Sequence, residues 1–92
     1  MSITVKIPTP LRSVTGGAAE VQVQEAKTIG ELIDKMESDH PGVKERLLDP
    51  NGNLRRFVNV FVDGEDVRFL DGMDTALRAG SDVSIVPAVA GG

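Results

Sequence analysis

Cysteine is absent from this chain of 92 residues, as are tryptophan and tyrosine. With no thiol there is no disulfide, no thiolate nucleophile, no cysteine-ligated zinc and no cysteine-held iron–sulfur cluster. His40 is the only histidine. No nucleophile–base pair is in view, so a free-standing hydrolase is not expected, and no metal site is assigned. Positive charge is also short. Ten Lys and Arg stand against fourteen Asp and Glu, a net charge of −4. That balance argues against nucleic acid as the main partner and favours steering toward a basic patch on another protein. No apolar run approaches the roughly 20 residues of a membrane span. Met1–Val5 carries no basic stretch followed by an apolar one, so export is not expected and the localisation expected is cytoplasmic.

What is present reads as one domain of ordinary composition, 40% hydrophobic and 26% charged. Ile3, Val5 and Ile7 alternate with polar residues as a half-buried strand, ended by Pro8 and Pro10. Thr9–Ala19 reads as a loop or wide hairpin connection, and Val21 and Val23 mark a second strand that completes a first hairpin. Thr28-Ile29-Gly30-Glu31 fits a capping box. Behind it Ile29, Leu32, Ile33 and Met36 recur at helical spacing, and His40-Pro41-Gly42 stops the helix. A short helical turn over Val43–Leu48 and a turn over Asp49–Asn53 follow.

Phe57–Val62 alternates with Val58, Val60 and Val62 on one face and Phe57, Asn59 and Phe61 on the other. Asp63-Gly64 signals a type I′ hairpin, with a return strand through Phe69. A short helical or irregular stretch spans Met73–Leu77. Val83 and Ile85 begin the last strand. Pro87 has no N–H, so pairing is expected to fail there and the chain to leave the sheet. One helix crossing one mixed sheet buries a single helical stripe most economically.

Beyond Pro87 come Ala88, Val89, Ala90, Gly91 and Gly92. Fully extended, these five residues reach about 17 Å. Glycine has no Cβ, so Gly91-Gly92 enters a slot too narrow for other residues. The α-carboxyl beyond is ionised at neutral pH. A frayed terminus is one reading of this ending. Its lack of charge after an apolar strand favours the other, a tail made to be bound.

The segment Arg56–Phe69, the Asp71-Gly72 turn and the ending Val83–Gly92 resemble the ubiquitin-like sulfur-carrier proteins, whose members include the thiamine-pathway carrier and the small subunit of molybdopterin synthase. Thr15-Gly16-Gly17 and Glu45–Pro50 add similarity to the branch serving cysteine synthesis. The resemblance implies an α+β, β-grasp (ubiquitin-like) fold: a mixed sheet of four to five strands crossed by one main helix, with short helical turns, over residues 1–87, and a flexible Gly-Gly tail at 88–92. It implies that the chain is no enzyme and binds no cofactor of its own. An E1-like adenylyltransferase/sulfurtransferase would use ATP to adenylate Gly92 and then leave a thiocarboxylate there, with Val89, Ala90 and Gly91 threading the activating site. The acceptor would be a pyridoxal phosphate-dependent cysteine synthase, served by a zinc peptidase of the JAMM type. Alternatives are the large subunit of molybdopterin synthase, or target lysines if the chain is a protein modifier. A passive binding domain with an inert tail also remains open.

Phe57, Phe61 and Val86 are the candidate docking residues, exposed beside the tail root if the valines face inward. One or both phenylalanines filling a secondary core is the alternative. Arg55-Arg56 is either a contact for an acidic partner or a solvated edge. His40 suits a helix C-terminus. Thr15-Gly16-Gly17 lacks Walker spacing and reads as a turn. Asp63, Glu65 and Asp66 belong to a hairpin.

Overall fold

Period-two alternation builds the sheet. In β1 (Ser2–Lys6) Ile3 and Val5 point inward; in β2 (Glu20–Gln24) Val23 does the same, and the two strands pair antiparallel with Ile3 opposite Val23. The structure is a computed structural model and describes residues Ser2–Pro87. β3 (Val58–Val62) buries Val58, Val60 and Val62, and β4 (Glu65–Asp66) folds back on it. β5 (Asp82–Pro87) lies between β1, to which it is parallel, and β3, to which it is antiparallel. The order is β2-β1-β5-β3-β4.

Helix α1 (Ile29–Asp39) covers the inner face with Ile29, Leu32, Ile33 and Met36, each no more than 2% exposed. Thr28 caps it by accepting from the Glu31 N–H at 3.2 Å. Glu31 reaches back to the Lys27 N–H, also at 3.2 Å, one residue earlier than in the usual box. The Ile29 N–H, which has no partner within the helix, donates to the Thr75 carbonyl at 3.1 Å. Helix α2 (Val43–Leu47) adds Val43 and Leu47 to the core, and Leu48 is buried behind it. This is the α+β, β-grasp architecture. Among the described residues no helix is long and apolar enough to cross a membrane.

Three local expectations change. The stretch expected as a loop contains a 3-10 helix, Thr9–Val14, because Pro8 and Pro10 fix φ where a helix begins; Leu11 and Val14 pack on the core. The return strand expected to reach Phe69 ends at Asp66, whose carboxylate accepts from the Arg68 N–H at 2.8 Å and starts a 3-10 turn, Val67–Phe69, that buries Val67. Pro87 stays in the sheet, opposite Val58. The Val58 N–H donates to the Arg55 carbonyl at 3.0 Å instead. The Val58–Pro87 pair therefore exchanges no N–H bond, and a proline fits there.

Candidate functional site

The tail root is set by β5. Paired with β3 from Val83 to Pro87 and with β1 at Asp82–Ser84, this strand turns Val83 and Ile85 into the core and Ser84 and Val86 outward. Its last residue, Pro87, is where the described structure ends. Val89, Ala90, Gly91 and Gly92 lie outside the described residues.

Around that root the structure separates the three docking candidates. Phe61 and Val86 share the outer face: Phe61 lies opposite Ser84, two residues before Val86, which makes the two diagonal neighbours on adjacent strands. Val86 is 41% exposed and Phe61 half-buried. Phe57 does not join them. It sits in a turn ahead of β3, so strand alternation no longer fixes its side. It lines a groove of about 240 Å³ at the end of the sheet, with Pro8, Leu11, Arg46, Ile85 and Pro87. At 56% exposure Phe57 fills no secondary core.

The rest of the outer face is polar. Gln22 bridges Ser2 and Thr4 through bonds of 2.9 Å to each hydroxyl, and Lys6 stands 3.5 Å from Asp82. An apolar area on β3 and β5 thus adjoins a hydrated one on β1 and β2.

Arg46 reaches the groove from α2, and α2 is held by a carboxylate from α1. Glu37 accepts from the Lys44 N–H at 2.8 Å and from the Gly42 N–H at 3.1 Å, capping a helix whose own N-cap, Gly42, has no side chain to do so. The Lys44 bond first, then the Gly42 bond, hold the Glu37 carboxyl below its ordinary pKa. Lys44 is shifted up by its 2.7 Å hydrogen bond to Asp34. Of the Arg55-Arg56 pair, Arg55 is tied in, its Nε donating to the Glu45 carbonyl at 2.9 Å; Arg56 is exposed.

The remaining candidates have structural partners. His40 terminates α1, its N–H donating to the Met36 carbonyl at 2.7 Å. Thr15-Gly16-Gly17 is a turn, with the Gly17 N–H on the Arg12 carbonyl at 2.7 Å. Asp63 and Asp66 use carboxylate oxygens on the N–H groups of Asp82 and Arg68. Among the described residues no group of three acidic or histidine side chains is placed to hold a metal ion. The groove has a single signal in the sequence, Pro8-Thr9-Pro10-Leu11, apolar and proline-rich just after β1.

The family model of the ThiS family matches residues 5–92. The chain is 49% identical over 94 aligned residues to the sulfur carrier protein CysO of Mycobacterium tuberculosis, with both proteins covered in full. It is 39% identical over 71 residues to small archaeal modifier protein 3 of Haloferax volcanii, covering 77% of this chain and 76% of that protein. The crystal structure of the BexX/CysO complex of Amycolatopsis orientalis contains a chain that matches with a TM-score of 0.90 at 47% identity, over 98% of this chain and 99% of that one.

Proposed function

The chain belongs to the ThiS family, and on that premise we propose that it is a sulfur carrier, a cosubstrate on which partner enzymes act. A carboxylate does not accept sulfide directly, because oxide would have to leave. In this proposal an E1-like enzyme joins a Gly92 carboxylate oxygen to the α-phosphorus of ATP, and pyrophosphate leaves. A sulfide-level nucleophile then attacks the carbonyl carbon and AMP departs, leaving –C(O)S⁻ on Gly92. Gly91 gives clearance, and Val89 and Ala90 are the residues gripped along the way. The acceptor is a pyridoxal phosphate-dependent cysteine synthase, with a JAMM-type zinc peptidase releasing the product. The small-subunit role in molybdopterin synthase is the alternative destination. Phe61 and Val86 dock the partners on the outer sheet face, and Phe57 does so at the sheet end.

The observation that carries this reading is the full-length likeness to a protein named as a sulfur carrier. The likeness to a modifier protein favours a second reading, in which activated Gly92 forms isopeptide bonds with lysines. Intact-mass spectrometry of the chain isolated from its own cell without reductant tests both. Replacement of one oxygen by sulfur at Gly92 is the expected result. A Gly-Gly remnant on lysines of other proteins, with no sulfur on this chain, establishes the modifier. An end that no ATP-dependent activator ever changes refutes both.

A further inference from the structure

The groove at the sheet end is apolar inside and cationic at its rim. Pro8, Leu11, Phe57, Ile85 and Pro87 form the walls, and Arg46 stands among them. Arg46 and Phe57 also line a shallower depression beside it, together with Glu45 and Arg55. Arg56 is covalently between Arg55 and Phe57. Arg68 lies against the same corner, its guanidinium donating to the Arg55 carbonyl and to Asn59 Oδ1 at 2.7 Å each. Four of the six arginines in a chain of net charge −4 are therefore gathered at one corner. Among the described residues none of the four forms an ion pair with a carboxylate, whereas Lys6 pairs with Asp82 and Lys44 with Asp34. Arginine is concentrated here against the overall sign, with Glu45 the one carboxylate residue sharing the lining, next to an apolar slot with room for one large side chain. Guanidinium groups of this kind favour carboxylates, which they bind with two parallel hydrogen bonds.

We propose that this groove seats an acidic segment of a partner protein: one large aliphatic or aromatic side chain enters between Leu11, Phe57 and Pro87, and flanking carboxylates meet Arg46, Arg55 and Arg56. The proposal rests on the sulfur-carrier reading only for why a partner binds beside the root of residues 88–92. The slot and its rim do not depend on the group the tail carries. This surface is separate from Phe61 and Val86, which lie on the outer face of the sheet.

The test is a titration of the isotope-labelled full chain, followed by NMR, with the end-blocked peptide Glu-Glu-Leu-Leu-Glu-Glu and its counterpart Lys-Lys-Leu-Leu-Lys-Lys. Saturable shifts at Leu11, Arg46, Phe57 and Pro87 are expected with the acidic peptide alone, weakening as salt is raised. Arg46→Glu and Phe57→Ala should each weaken binding by about tenfold, while Arg78→Glu, the same charge reversal at the opposite end of β1, changes it little. Equal responses to both peptides, shifts centred on Phe61 and Val86, or no saturable shift overturn the proposal. So do groove signals that move on dilution of the chain alone, which assign the slot to a second copy. Contacts from Val89 or Ala90 to Phe57 in the unliganded chain assign it to the chain's own end. None of these outcomes alters the mass test for sulfur at Gly92, so the two readings fail separately.

Discussion

Ile33 gives the sharpest test of how the helix is held. It is 2% exposed and lies in the stripe with Ile29, Leu32 and Met36 that seals the inner face of the sheet. Truncation to alanine removes buried methyl and methylene groups and leaves a cavity, a change that costs about 2–5 kcal/mol. A chain of this size has a total stability of roughly 5–14 kcal/mol, taking about 0.05–0.15 kcal/mol per residue. Even the low end of the truncation cost therefore lowers the melting temperature by about 8–16 °C. Ile33→Asp is worse, because a carboxyl group enters an apolar contact and must be buried unpaired or push the helix away. Lys35→Ala, two residues along on the exposed side of the same helix, should stay within about 0.5 kcal/mol of the parent. Thermal and urea unfolding followed by far-ultraviolet circular dichroism reads all three; the absence of Trp and Tyr rules out the usual fluorescence signal. If Ile33→Asp melts with Lys35→Ala, the helix is not packed on the sheet through this stripe and the fold described above is wrong.

Glu37→Gln should flatten the acid limb of stability. A carboxyl held below its ordinary pKa in the folded chain contributes stability that is fully present above the unfolded value of about 4.3 and is lost as pH falls through the lower folded value. The variant should therefore melt earlier than the parent near neutrality and approach it in acid; parallel curves at every pH would refute the capping role. Asp63 sits at φ 51 and accepts the Asp82 N–H at 3.0 Å, so Asp63→Ala should cost about 1–2 kcal/mol and Asp63→Asn much less, measured by urea unfolding. Equal losses would mean that the left-handed backbone is not what selects the residue. Deleting Gly92 should abolish ATP-dependent activation and leave the melting temperature nearly unchanged; a large drop in melting temperature would place that residue in the fold.

Much of the architecture is written locally. Alternation in Ile3–Val5 and Val58–Val62, the Thr28 cap and the paired positive φ angles of Asp63 and Gly64 each follow from short-range chemistry. The departures all depend on partners distant in sequence. A period of two groups Phe57 with Phe61, yet β3 starts one residue later, after the Val58 N–H has turned back to Arg55. Whether Pro87 can remain paired depends on register: opposite Val58 no N–H is called for, and one position earlier, opposite Asn59, the pairing alternates to the bonded kind. The groove needs Pro8 and Leu11 from one end of the chain and Pro87 from the other, and only the parallel pairing of β1 with β5 brings those together.

That same pairing has a mechanical consequence. Residues 88–92 continue from the middle strand of the sheet, not from an edge. A pull along the strand axis loads the ladder to β3 first, from Pro87 back to Val83, and then the ladder to β1 at Asp82–Ser84, where an edge strand would have one ladder only. Force entering at Pro87 is thus resisted by two strands before it reaches the rest of the sheet.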